Sequence, residues 1–578
     1  MSPRTVPAGT PLGDAFHVYD TTLRDGAQRE GVSYSVADKL AVARHLDALG
    51  VGYIEGGWPG AMPKDTEFFA RAAAGELELR HAALVAFGAT RKAGTTAAKD
   101  PQVRALLDSQ APVVTLVAKS DRRHIERALR TDVAENCAMV ADTVAFLTNE
   151  GRRVFLDAEH FFDGFRFDPD TALRVLDAAV TAGADVAVLC DTNGGMLPLG
   201  IAETVAQVKD RTGFRLGIHC QDDTGCAVAN SVAAVQAGAT HVQLTANGYG
   251  ERAGNADLFA VVGNLVTKLG MPVLPHGSLA ELTRTSHALA EIANIAPDTH
   301  QAYVGVAAFA HKAGLHASAI KVDPELYNHM DPVDVGNGQR VLVTEMAGRA
   351  SVELKGAELG LDLAGRPDAV SSVVATVKER ESQGWSFEAA DASLELLMRA
   401  ALNDTGLDDG TVLPFAIESY RVLIENRGGE VVTEATVKLV VDGERTIATC
   451  EGNGPVNALD AALRAALSPS RPWLADVELS DFKVRLLAPQ GAGETRGTDA
   501  VTRVLVESTD GAGSWTTVGV HGNVVEASWL ALVDAVAYAG LREGAPVETP
   551  PTPDTAGSGA GAGAARRRTQ ETGPAPRL

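Results

Sequence analysis

The stretch LGIHCQDDTGC, residues 216 to 226, reads as the end of a buried strand that presents polar side chains. Side chains two apart on a strand share a face, so His219 and Gln221 converge while Cys220 and Asp222 point away. Asp25, in YDTTLRDG, supplies an anionic oxygen, and Asn255, in GERAGN, supplies a carbonyl oxygen. One carboxylate, one imidazole and one or two amide oxygens make a donor set for a divalent cation, with room left for water or a bidentate substrate. That arrangement suits Lewis-acid polarisation of a carbonyl. Because oxygen dominates the set, Mg²⁺ or Mn²⁺ is expected before Zn²⁺, whose preferred partners are nitrogen and sulfur.

Such a set needs elements that carry residues distant in sequence to one place. From residue 16 to about 247 one unit recurs: a short apolar run rich in β-branched residues, a polar residue at its end, then a longer stretch with helical spacing. The runs are FHVYD, GYIEGG, AALVAFG, VVTLVAK, RVFLDAE, VAVLCDT, LGIHCQ and HVQLTANG. The helical half is legible in SVADKLAVARHLDALG, with Ser35 as N-cap, Leu40, Ala43 and Leu46 on one face, and Gly50 at the stop. Eight strand–helix units in roughly 250 residues predict an α/β fold, a parallel (β/α)8 TIM barrel. No GxGxxG follows the first run, which lowers the case for an open dinucleotide-binding sheet.

Active sites of this barrel lie at the carboxyl ends of the strands. The polar residues sit there: Asp20, Thr22, Arg24 and Asp25 after the first run, Glu55 after the second, Lys119 after the fourth and Glu159 after the fifth. Asp191 and Thr192 follow the sixth, His219 and Gln221 the seventh, and Asn247 the eighth. A single one of these reads most simply as a cap or turn residue. Lys119 and Glu55 are expected to pair inside the barrel mouth.

Residues 270 to 410 read as mainly helical, with GSLAELTRTSHALAEIAN and SFEAADASLELLMRAAL as amphipathic stretches. From about 413 the pattern changes to two similar strand–strand–strand–helix units, an α+β domain with internal pseudo-symmetry. The expected boundaries are a flexible N-terminus over 1–15, a catalytic barrel over 16–285, a helical linker subdomain over 286–410, the α+β domain over 411–545, and a disordered Pro, Gly and Ala-rich tail over 546–578.

A net charge of −23 argues against nucleic acid or an anionic membrane surface as a partner. No apolar run approaches the roughly 20 residues of a bilayer span, and the first residues lack a secretory core. A cytoplasmic location is expected. Five cysteines without a repeated CxxC pattern are read as reduced packing residues.

Taken together, YDTTLRDGAQREG, IEGGWPGAMPKD, DAEHFFDGF, CDTNGG, TANGYGERAGNADL, AHKAGLHASAI and YNHMDPVDVGN resemble the citramalate synthase branch of the 2-isopropylmalate synthase family. Those are metal-dependent barrel enzymes that join acetyl-CoA to a 2-oxo acid. The resemblance runs from residue 16 to about 545, and the C-terminal pair of units is similar to that family's allosteric dimerisation domain. It implies an acyltransferase, a homodimer, and Asp25 and His219 as metal ligands with Gln221 and Asn255 completing the set. Arg24 and Gln28 would bind substrate, Arg24 also stabilising the developing alkoxide, and Thr192 would hold the oxo-acid carboxylate. Glu159 matches a catalytic glutamate. His316 and Tyr327 match residues linked to deprotonating acetyl-CoA or to the later thioester hydrolysis.

A Claisen-type condensation needs a base for a weakly acidic methyl group and an electrophile for the growing oxyanion, and these residue types supply both. The departure is HCQDD, where most relatives carry His-x-His-Asn-Asp: an amide replaces one imidazole, predicting weaker and harder-ion binding. The resemblance implies citramalate formation from pyruvate, feeding isoleucine synthesis, with isoleucine as a candidate effector. Alternatives are 2-oxoisovalerate or 2-oxoglutarate as substrate, a carbon–carbon lyase on the same barrel, and a metal-free scaffold.

Overall fold

The computed structural model describes residues 13–363, 365–402, 415–487 and 500–543. The expected tail over 546–578 and most of the N-terminal 1–15 lie outside the described residues. The chain forms two compact units, Met1–Lys378 and Glu379–Leu578.

In the first unit, β1 (His17–Asp20), β2 (Tyr53–Gly57), β3 (Ala83–Ala89), β4 (Val113–Lys119), β5 (Arg153–Glu159), β6 (Val186–Asp191), β7 (Leu216–Cys220) and β8 (His241–Leu244) close a parallel barrel in chain order. All eight expected runs are its strands. Closure is made by β1 against β8, from His17 opposite His241 to Asp20 opposite Leu244. Both faces of each strand are covered, which is why the runs are continuously apolar rather than alternating. Outward residues such as Val18, Leu116 and Ile218 pack under the helices. Inward residues fill the lumen, where Tyr19, Tyr53, Val113, Phe155 and Val188 form one buried cluster. At the amino end, His17 and His241 approach at 3.1 Å among these rings. The lumen is therefore packed shut below, which leaves the carboxyl end as the place for a ligand.

The helix Val36–Leu49 shows how the surrounding ring is set. Ser35 Oγ accepts from the Asp38 amide while Asp38 accepts from the Ser35 amide. Gly50 then stops the helix at φ 95 against Pro275, so a side chain there would be both strained and obstructed. Beyond the barrel, the helices Leu282–Ile292, Gly314–Ile320 and Arg349–Glu358 are joined by turns and by a two-stranded parallel sheet of β9 (Ala310–His311) and β10 (Arg340–Val341).

The second unit includes the helix Asp391–Leu402, so the stretch read as one linker is shared between the units. Strands β11 (Ala416–Arg427), β12 (Glu430–Val441) and β13 (Glu444–Gly452) form an antiparallel sheet followed by the helix Pro455–Leu467. Strands β14 (Glu478–Leu486), β15 (Thr502–Thr509) and β16 (Ser514–His521) repeat the pattern, followed by the helix Val524–Glu543. That last helix is the one helix among the described residues long and apolar enough to cross a membrane. It carries Glu526, Asp534 and Arg542, and its apolar residues are buried in the unit's core.

Two predictions arise from this packing. The helix Val524–Glu543 lies so close on β16 that a Cβ at Gly519 would stand 2.0 Å from the Ala527 carbonyl oxygen and 2.9 Å from the Ala531 amide nitrogen. Backbone on both sides cannot yield, so Gly519→Ala is expected to cost about 3 kcal/mol in chemical denaturation of the protein. Within the same helix, Asp534 is largely but not wholly buried, accepts from Ser393 Oγ at 2.8 Å, and is pushed by burial up to about 6. The ordinary value is 3.8, so the folded state holds this proton more tightly than the unfolded chain. Its favourable contribution is complete below pH 3.8 and lost as pH rises to about 6. Asp534→Asn is expected to stabilise the unit by up to about 3 kcal/mol at pH 8 and to change little at pH 4, read by denaturant titration at both pH values.

Candidate active site

The barrel mouth holds a cavity of about 630 Å³ whose lining includes Arg24, Asp25, Gln28, Lys119, Glu159 and Thr192, with His219 and Gln221. The strand ends converge as the fold demands. His219 is the penultimate residue of β7 and Gln221 the first beyond it, both buried, while Cys220 packs into the outer core. Asp222 turns outward and accepts from the Ala227 amide at 2.8 Å, so it is not a substitute ligand. Asp25 follows β1, brought beside β7 through the intervening β8. Asn255 reaches the same place because its segment makes an antiparallel bridge with Gln221.

His219 Nε2 lies 3.3 Å from Asp25 Oδ2, and the Gln221 Nε2 lies 3.3 Å from Asp25 Oδ2 and 3.4 Å from His219 Nε2. The Asn255 amide donates from Nδ2 to the Tyr249 carbonyl at 3.0 Å. Gln221 Oε1 and Asn255 Oδ1 are buried without a hydrogen-bond partner among the described residues. Two orphaned amide oxygens beside a carboxylate and an imidazole are a cost to the fold unless a cation meets them. The residues present therefore fit a divalent ion. Among the described residues no group of three or more His, Cys, Asp or Glu side chains is placed to hold a metal ion, so a set at this site would have to draw on amide oxygens.

The electrostatics agree. Burial would raise the Asp25 carboxyl, but Arg24, His219 and Asn255 hold it well below the usual carboxylate range. Burial likewise opposes a charged His219, and Asp25 outweighs it and raises the imidazole. An anionic oxygen next to an imidazole is thus maintained inside the protein.

Arg24 is held from three sides. Its Nε donates to Glu55 Oε2 at 2.5 Å, Nη1 stands 3.6 Å from Asp25, and the guanidinium lies 3.9 Å over the Phe87 ring. Glu55 is wholly buried and also accepts from Tyr19 at 2.6 Å and Thr21 at 2.5 Å. The expected pair between Lys119 and Glu55 is not formed: Lys119 pairs with Glu159, its neighbour across β4 and β5, and Glu55 is taken by Arg24. The shorter reach along adjacent strands decides this. Thr192 Oγ1 accepts from the His160 amide at 2.8 Å, which leaves its own proton to donate into the cavity.

His316 and Tyr327 are not at this cavity. They stack on each other at 4.2 Å, with Tyr327 exposed, and neither lines the space. Asn247, adopting φ 54, is spent on Ser286, Tyr249 and Gln301 and serves the architecture. Three residues that sequence reasoning passed over belong to the site. Arg252 pairs with Asp223 and donates to the Thr192 carbonyl at 2.8 Å, tying together the loops after β6, β7 and β8. Gln243 and Asp157 lie beneath His219. The signal for both was the period of two: Gln243 faces inward with His241, and Asp157 with Phe155 and Glu159.

Family models match three stretches of the chain: an HMGL-like model over residues 15–289, a homocitrate synthase post-HMGL domain-like model over 303–384, and a LeuA allosteric (dimerisation) domain model over 388–539. The chain is 62% identical to an (R)-citramalate synthase of Streptomyces coelicolor, the match covering 94% of this chain and 100% of that protein. It is 47% identical to an (R)-citramalate synthase of Synechocystis sp., covering 91% and 96% of the two chains. Among solved structures, an HMG-CoA lyase from Brucella melitensis aligns with a TM-score of 0.39 at 18% identity, covering 48% of this chain and 98% of that one; a likeness of that size carries no functional weight. With near-complete coverage of such relatives and all three domains in order, the chain belongs to the citramalate synthase branch of the 2-isopropylmalate and homocitrate synthase family.

Proposed function

We propose that this protein condenses acetyl-CoA with pyruvate and hydrolyses the resulting thioester, releasing (R)-citramalate and CoA. The observation that carries this reading is the 62% identity to an (R)-citramalate synthase across that enzyme's full length. Enzymes of this family are acyltransferases that depend on a divalent metal ion and use acetyl-CoA with a 2-oxo acid. The LeuA-type domain is one of dimerisation and allostery. The finer assignments are our reading: Mg²⁺ or Mn²⁺ as the ion, a homodimer as the assembly, isoleucine as the effector, and the cytoplasm as the location.

Asp25, His219, Gln221 and Asn255 would hold the ion, which when bound supplies Lewis-acid polarisation of the 2-oxo carbonyl. The chain's own groups do the rest. Arg24 has its Nε committed to Glu55, and its remaining N–H groups face the cavity beside Asp25, where they receive the negative charge that grows on the former carbonyl oxygen. Thr192 donates to the substrate carboxylate, and Gln28 borders the same space. Glu159, neutralised by Lys119, is the carboxylate within reach of the acetyl group. His316 and Tyr327 lie outside the cavity, so their part in moving the methyl proton, or in the thioester hydrolysis, requires a substrate that extends to them or a second copy of the chain.

A metal-free scaffold would leave Gln221 Oε1 and Asn255 Oδ1 buried and unpaired, with nothing gained. The test is CoA release with pyruvate, 2-oxoisovalerate and 2-oxoglutarate, each with Mg²⁺ and Mn²⁺, before and after chelation. Pyruvate is expected to give the highest kcat/KM, and chelation to abolish turnover. A faster reaction with either larger oxo acid would overturn the substrate, and turnover that survives chelation would overturn the metal reading.

A further inference from the structure

The register between β7 and β8 sets His219 directly opposite Gln243. His219 Nδ1 is 3.0 Å from Gln243 Oε1, and Gln243 Nε2 donates to Asp157 Oδ1 at 2.7 Å. All three side chains are buried, with Gln243 1% and Asp157 4% exposed. This chain of bonds has a direction. An ionised carboxylate only accepts, so Asp157 compels the amide to present its N–H₂ downward and its oxygen upward. The oxygen in turn compels His219 to carry its proton on Nδ1. Nε2, the nitrogen that faces Asp25 and Gln221, is then the one left to a cation, which takes its lone pair in place of any proton shared with Asp25. A reversed amide would offer N–H to Nδ1 and push the imidazole proton to Nε2, where it blocks ligation.

We infer that Gln243 and Asp157 are positioning residues that lock the His219 tautomer so that Nε2 is available to a divalent cation. Gln243 lies beneath the cavity and Asp157 borders it, but neither is one of the four proposed ligands, and their effect passes through the ring. The inference rests on the reading that Asp25 and His219 hold an ion, and it concerns two residues which that reading leaves unused. It also explains how a Gln and an Asp are tolerated inside the barrel, since a buried polar chain is retained only if each member is satisfied. Outer partners of this sort commonly govern metal affinity by about 10-fold to 100-fold.

The experiment uses the full-length protein and Mn²⁺ alone, with free Mn²⁺ counted by electron paramagnetic resonance. Burial and the neighbouring Glu55 push the Asp157 carboxyl up to about 7, so the titration is run at pH 8. Gln243→Leu and Asp157→Asn are each expected to weaken Mn²⁺ binding about 10-fold to 100-fold. In Asp157→Asn both ends of the amide can be satisfied either way, so the direction is lost while size is kept. The double variant Asp157→Asn with Gln243→Glu reverses the lower bond and preserves the upper one. The asparagine introduced at position 157 donates to the carboxylate introduced at position 243, and that carboxylate can only accept from His219 Nδ1. The double variant is expected to recover wild-type affinity to within about threefold, or to exceed it, which a merely packing role would not produce. Should a single variant lose its fold, judged by its thermal transition, the double variant alone decides, against wild type. Unchanged affinity in the folded single variants, or a folded double variant at least 10-fold weaker than wild type, would overturn the lock and leave the metal reading standing. Wild-type protein that takes up no Mn²⁺ would overturn both.

Discussion

His219→Ala and Asp25→Ala are each expected to reduce condensation by about 1,000-fold or more, the loss of several kcal/mol of charge stabilisation that a bound ion supplies at a developing oxyanion. The size of the effect follows from how few donors the site has. Of the four donors proposed for the ion, only Asp25 and His219 bring a carboxylate or an imidazole, at 3.3 Å from one another, while Gln221 and Asn255 would contribute neutral oxygens. Loss of His219 would remove the one imidazole of the proposed set. Excess Mn²⁺ is expected to restore part of the Asn255→Ala activity and none of the His219→Ala activity, since a missing amide oxygen weakens affinity while a missing imidazole removes the anchoring pair. The measurement is initial CoA release across a metal titration, accompanied by the thermal transition to show that each variant is folded. Full activity in His219→Ala would place the electrophile elsewhere.

Arg24→Ala is expected to lower kcat by about 100-fold to 1,000-fold through loss of an oxyanion donor, and to destabilise the barrel by about 3 kcal/mol because Glu55 is left buried without its cation. Tyr19 and Thr21 still donate to Glu55, which keeps the stability loss at the lower end for a broken buried pair. Arg24→Lys separates the two effects. A lysine retains the charge opposite Glu55 but has no planar fork to bond Glu55 and face the cavity at once. Its stability should stay near wild type while kcat falls nearly as far as in Arg24→Ala. Equal falls in stability and rate in the lysine variant would mean that Arg24 serves only to neutralise Glu55.

The barrel was readable from the chain because its signal is local and repeated. Each of the eight apolar runs is a strand, and Ser35 and Gly50 cap the first helix as their side chains dictate. The pairing of His219 with Gln221, and the turning away of Asp222, also follow from the period of two along a single strand. So does the placement of polar residues at one end of the barrel, since every strand of a parallel barrel runs the same way.

What the chain's order of residues could not disclose are the relations between strands and loops distant in sequence. Lys119 chose Glu159 over Glu55 because β4 and β5 are neighbours in register, while Arg24 had already closed on Glu55 from β1. Arg252 became the tie between three rim loops only once those loops stood side by side. Whether His316 and Tyr327 reach the cavity is likewise a matter of tertiary position, and within one chain they meet each other rather than the site. The physical reason is common to all of these. Periodicity and capping depend on residues a few positions apart and are written in composition, whereas a hydrogen bond between Gln243 and Asp157 depends on barrel stagger, to which no local pattern responds.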